Sequence, residues 1–148
     1  MRIEEIKVLF QSEDTLDEVI VKLQEDIELV DEWSVNRKNG VVDNAEEIKR
    51  GLNELSGAYS NLRTVLALAE SEKKNREVRF YNTRKIEIEN AGEKFTSAAV
   101  DKEASAHVAE YRRVRNIIQA YTESAEKHIV TLQSNLKDEQ RDYKNTQE

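Results

Sequence analysis

Apolar residues along this chain recur at alternating spacings of three and four, the pattern of helices that each bury one face. The first such run is Leu16, Val19, Ile20, Leu23, Ile27 and Val30. Ahead of it lies a short amphipathic start with Ile3, Ile6, Val8 and Leu9. Asp14 or Thr15 suits the N-cap of the first long helix, and Asp17 and Glu18 suit its first turn, where carboxylates meet the positive end of the helix dipole. The helix is expected to reach about Asn36, before the break at Asn39 and Gly40. A second run starts behind Asn44, a good N-cap, and carries Ile48, Leu52, Leu55, Tyr59, Leu62, Leu66 and Ala69 in heptad register. It turns polar at Lys73 and Arg76 and returns at Phe80. Nothing between 52 and 90 interrupts a helix except Gly57. Gly92 suits a C-cap, Thr96 the next N-cap and Phe95 a hydrophobic staple. The third run is Val100, Ala104, His107, Tyr111, Val114, Ile118, Tyr121, Ala125, His128 and Leu132, with Leu136 continuing it and a polar, fraying end from Gln140 onward.

These runs predict an all-α protein: a long antiparallel helical hairpin of coiled-coil type plus a shorter N-terminal helix. Residues 1–43 form an acidic N-terminal helical segment, and residues 44–148 form the hairpin, with its turn near 91–96. A helix of 45 residues would be about 68 Å long. The hairpin seams exceed what the shorter first helix covers alone, which predicts a homo-oligomer. The expected interface is Val100, Ala104, His107, Tyr111, Val114, Ile118, Tyr121, Ala125 and Leu132.

Composition sharpens this picture. Of 148 residues none is proline and only four are glycine, which suits a few long helices better than many turns. Charged residues are 36% of the chain and hydrophobic residues 38%, enough for buried stripes but thin for an α/β core. With no cysteine, disulfides and thiolate metal sites are excluded. The opening residues have mixed charge and no apolar core, and no apolar run approaches the roughly 20 residues of a membrane span, so a cytoplasmic protein with no membrane partner is expected.

The net charge of −7 is unevenly distributed. Residues 1–30 hold nine acidic and three basic side chains, whereas residues 73–94 hold seven basic and four acidic ones. Within this basic band Lys73, Lys74, Arg76, Arg79, Arg84 and Lys85 surround Phe80 and Tyr81. Phosphates call for several cations on one surface, and unstacked bases call for aromatic faces. Single-stranded DNA is one reading; the other is a solvated helix face whose aromatics pack inward at the hairpin end. A second basic group, Arg112, Arg113 and Arg115, falls opposite the band if the chain turns near Gly92, and Arg112 and Arg113 then extend one patch. His107 and His128 lie 21 residues apart on the last run, about 31 Å along a helix, so they share neither a metal nor a proton. Both read as buried or half-buried seam residues. Trp33 reads as a packing plug. No phosphate loop, zinc motif or nucleophile elbow is present, and no enzyme activity, cofactor or metal is expected.

The stretch Arg79, Phe80, Tyr81, followed by a glycine-containing turn, then Glu93, Lys94, Phe95, Thr96 and a long helix with spaced aromatics, resembles the phage recombination mediators of the UvsY type. The opening Met1, Arg2, Ile3, Glu4 fits the same pattern, and the resemblance covers residues 65–136. It implies a small helical protein of a bacterial or phage-infected cell that forms a ring-like oligomer through its C-terminal helices. It further implies binding to single-stranded DNA, through Lys73, Lys74, Arg76 and Arg79 beside Phe80 and Tyr81, and help to a RecA-like recombinase in displacing the single-strand-binding protein. The chain departs from the pattern in being acidic outside the band. A non-enzymatic coiled-coil adaptor or structural phage protein that grips another protein is the competing expectation.

Overall fold

The computed structural model describes residues 3–40 and 42–147, and all regular structure among them is helical. Met1, Arg2 and Glu148 lie outside the described residues. Helix α1 spans Ile3–Leu9, a single 3-10 turn spans Glu13–Thr15, and α2 (Leu16–Lys22) and α3 (Gln24–Lys38) follow almost in line. Helix α4 runs Ala45–Asn90, and α5 (Ser97–His107) and α6 (Ala109–Gln147) form the return. At 46 residues α4 is about 69 Å long. No helix among the described residues is long and apolar enough to cross a membrane.

Local sequence sets the helix ends. Asn44 caps α4 as expected, its Oδ1 accepting the backbone N–H groups of Glu46 at 3.0 Å and Glu47 at 3.1 Å. Gly92 adopts φ 71° at the hairpin turn, a left-handed conformation that costs glycine little. Thr96 sits at the N-cap of α5 in extended conformation but makes no side-chain cap bond. At the 3-10 turn the capping side chain is Ser12, whose Oγ accepts from Asp14 N. Thr15 instead donates its hydroxyl to the Leu9 carbonyl at 2.7 Å, tying α1 to the start of α2. The polar end of α6 does not fray at Gln140; it stays helical to Gln147.

The three long segments pack up, down and up. Arg76 meets Tyr111, Phe80 meets His107 and Arg84 meets Glu103, so each turn up α4 is matched by a turn down the return. Helices α2 and α3 run antiparallel to α4, pairing Asp26 with Asn61, and parallel to α6, pairing Asp17 with Arg113 and Ser34 with His128. Residues 16–38, 45–76 and 108–136 therefore form a three-layered body. From residue 70 to 87 no side chain of α4 is buried, and only Ile88 is buried farther along. There the α4/α5 pair projects as a two-helix arm closed on Ile88, Val100 and Ala104.

The seam that the sequence assigned to self-association is covered within the chain, by the third layer from Tyr111 onward and by α4 in the arm. Val100, Ala104, Tyr111, Val114, Ile118, Ala125 and Leu132 are buried within one chain, so they are interior rather than a surface between copies. Tyr121 is half-buried. His107 is exposed, because the backbone bends at Val108 (φ −102°, ψ 18°) and Val108 takes the core position instead. The buried line of α4 also differs from the one the heptad predicts. Ile48, Leu55, Leu62 and Ala69 are on it, but Gly51, Ala58 and Val65 replace Leu52, Tyr59 and Leu66, which are only partly buried. Small residues let the helix axes approach, and the larger ones flank the contact.

Trp33 is fully buried as a plug, and Gly51 is the hole it fills. A Cβ on Gly51 would lie 2.6 Å from Trp33 Cη2 and 2.9 Å from Leu132 Cδ1, whereas a Cβ on Gly57 would meet nothing within 4 Å. The Trp33 indole N–H donates to Glu54 Oε2 at 3.4 Å, and Arg50 lies over the ring while bonding to Glu54. Gly51→Ala is therefore expected to destabilise the fold by about 1–3 kcal/mol through overpacking. Gly57→Ala is expected to stabilise it by roughly 0.5–1 kcal/mol, since alanine loses less backbone entropy in a helix. Urea denaturation of both variants checks the opposite signs.

Candidate functional site

The basic band lies where the body ends and the arm begins, and most of its charge is used inside the chain. Arg76 is half-buried. It donates through Nε to Glu72 at 2.8 Å and through one terminal nitrogen to the carbonyls of Phe10 at 3.2 Å and Gln11 at 2.6 Å. Its guanidinium also lies 4.5 Å from the centroid of the Tyr111 ring. Tyr111 in turn donates its hydroxyl to the Phe10 carbonyl at 3.1 Å. Burial pushes the Tyr111 hydroxyl above its ordinary pKa, against the opposing pull of Arg76. This cluster holds the end of α1 onto the hairpin.

The other cations follow suit. Lys73 pairs with Glu77 at 3.5 Å on the same helix. Arg84 donates to Glu103 across the arm at 2.9 Å and contacts Glu87 at 3.5 Å. Lys85 sits over the Phe95 ring at 5.2 Å. Arg112 turns back to the bend at Val108, donating to the Ser105 carbonyl at 2.8 Å and hydroxyl at 2.6 Å. Arg113 pairs with Asp17 of α2 at 2.6 Å and with Glu110 at 3.0 Å. Arg115 donates along α6 to Gln119, and its buried Nε has no partner among the described residues. Arg112 and Arg113 therefore do not join the band into one patch, because each is engaged elsewhere.

The aromatics are paired as well. Phe80 stacks on His107 with centroids 4.5 Å apart and ring planes 23° apart, and Tyr81 meets Phe95 edge-on at 6.0 Å. The Tyr81 hydroxyl also lies 3.1 Å from Ser97 Oγ. The inward packing of the aromatics is what the structure contains, and neither ring is left as a bare stacking platform.

Two cations of the band remain exposed without a partner among the described residues, Lys74 and Arg79. Five residues apart on α4, they point about 140° away from each other. Arg79 opens onto a shallow cleft of about 240 Å³ lined by Arg76, Arg79, Phe80, Thr83 and His107. The cleft draws on both strands of the hairpin, and the bend at Val108 is what brings His107 out onto Phe80. Sequence periodicity placed His107 on the seam and so missed it as a cleft residue. Thr83 carried no signal of its own. The cleft presents one free guanidinium, a hydroxyl and an imidazole, a set that accepts a carboxylate or another small anion.

No protein-family model matches the chain, and neither the curated proteins nor the solved structures contain a match to it. The geometry above is thus the basis of any functional assignment.

The split between engaged and free cations has a measurable consequence. Arg76→Ala should cost about 1.5–3 kcal/mol, the range for hydrogen bonds to charged groups, because the Gln11 carbonyl loses its donor and the Phe10 carbonyl keeps only the Tyr111 hydroxyl. Lys74→Ala and Arg79→Ala should change stability by less than about 0.5 kcal/mol. Thermal or urea unfolding of the three variants distinguishes them.

Proposed function

We propose that this chain is a non-enzymatic helical adaptor whose projecting arm seats an acidic segment of a partner protein in the cleft around Arg79. The observation that carries this reading is the internal use of the band. Lys73, Arg76, Arg84, Lys85, Arg112 and Arg113 are spent on contacts within the chain, Phe80 on His107 and Tyr81 on Phe95. What is left is a single local site rather than a row of cations beside open rings. A protein carboxylate needs only such a site, whereas a single-stranded nucleic acid gains affinity from several phosphate contacts and from stacking. The arm also carries exposed apolar side chains, Val78 and Ile86.

Binding of single-stranded DNA, with a RecA-like recombinase or a single-strand-binding protein as partner, is the second reading. It draws on Lys74 and Arg79, which are exposed and unpaired among the described residues. Titration of labelled oligothymidine separates the two. The adaptor reading expects no binding even at low salt, together with a protein cross-linked through a photoreactive group at Thr83 in cells and lost from the Arg79→Glu variant. Binding that weakens steeply with salt, with a slope reduced by roughly 0.7 for each of Lys74 and Arg79 replaced by alanine, would establish the nucleic-acid reading instead.

A further inference from the structure

His128 is buried, 6% exposed, at the opposite end of the body from the arm. Its Nδ1 lies 2.8 Å from an Arg37 guanidinium nitrogen, and its Nε2 lies 3.0 Å from Ser34 Oγ. Ser34 donates its hydroxyl to the Val30 carbonyl at 3.0 Å. Arginine has no acceptor, so Arg37 must donate and Nδ1 must accept. The proton of the neutral ring therefore sits on Nε2 and is donated to Ser34, whose own proton goes to Val30. The direction of each bond in this relay is set, and it ties the last two turns of α3 to α6.

A second proton on the ring has one place to go, Nδ1, and there it faces a donor of the same charge. Burial pushes the imidazole below its ordinary pKa of 6.5, and Arg37 pushes it the same way, against a smaller opposite pull from the Val30 carbonyl. The surrounding charges do not offset this. On α3, Asp31 is turned to Tyr121, whose hydroxyl it holds with burial above the ordinary value. On α4, the Arg50–Glu54 pair is engaged with Trp33. On α6, Glu123, Glu126 and Lys127 line an open groove with Arg37 at the surface.

From this geometry we infer that Arg37, His128 and Ser34 form an acid-operated latch, whose opening releases α3 from α6 at the Trp33 end while the α4/α6 hairpin remains helical. The open state binds the proton more readily than the closed one. The latch thus contributes fully above pH 6.5, and its contribution is lost as pH falls from 6.5 through the depressed value of the closed state. Trp33, the only tryptophan and one residue from Ser34, reports the event directly.

The test is Trp33 emission and far-ultraviolet circular dichroism of the full chain between pH 7.5 and 4.5. The expected result is a red shift of emission below pH 6.5 with helicity retained, abolished in His128→Gln, which keeps an acceptor and a donor but does not titrate. A shift at the same pH in His128→Gln, no shift in the wild type, or loss of helix together with the shift would each overturn the latch. Should His128→Gln not fold, Arg37→Gln serves: removing the like charge lessens the penalty on the protonated ring in the closed state, so the transition should shrink or move to lower pH, and an unmoved transition refutes the proposal. The imidazole nitrogen shifts of His128 in the wild type must titrate with the same midpoint as the emission, and a mismatch of the two also refutes it.

Discussion

The contact on which the rest of this structure depends is the insertion of Trp33 into the space left by Gly51, against Leu132. It is where α3, α4 and α6 meet. With a Cβ at position 51 the indole has no room, and α3 could not approach the hairpin closely enough for Ser34 and Arg37 to reach His128. Burying a tryptophan also requires a partner for its N–H, which Glu54 provides and Arg50 completes. One residue without a side chain thus allows the third layer to close, and the third layer turns a two-helix seam into the interior of a single chain.

That closure divides the molecule. The body is held by three layers and by polar ties at both ends, the Arg76–Tyr111–Phe10 cluster at one and the His128 relay at the other. The arm beyond residue 77 has two layers, few buried side chains and aromatic pairs across the hairpin. Of its cations, Arg84 is balanced by Glu87 and Glu103, Lys85 lies over the Phe95 ring, and Arg79 has no partner among the described residues. A surface of this kind suits local recognition at one cleft, and the proposed adaptor role places that recognition on the two-layered arm.

Much of the fold was legible in the residue pattern. The hairpin, its turn at Gly92, the Asn44 cap and the plugging role of Trp33 follow from spacing, from capping chemistry and from the scarcity of glycine. The exact buried line was not legible, because a hydrophobic pattern favours Leu52, Tyr59 and Leu66 over Gly51, Ala58 and Val65. Close packing of helices reverses that preference. The bend at Val108 was equally hidden: His107 and Val108 are adjacent, and only the packed backbone decides which one turns inward. The candidate site was half legible. The sequence located the band and weighed inward packing of its aromatics, but a count of cations carries no information on which of them meet carboxylates or free carbonyls. Arg76 looks like a ligand-binding residue in the sequence and is a structural tie in the fold.

The central claim is the division into a three-layered body and a two-layered arm, and native-state hydrogen exchange tests it most directly. Amides in residues 48–69 and 111–132 should exchange only through global unfolding, while those in residues 77–107 should exchange through smaller openings and more quickly. Uniform protection along α4, or an arm protected as well as the body, would contradict the account.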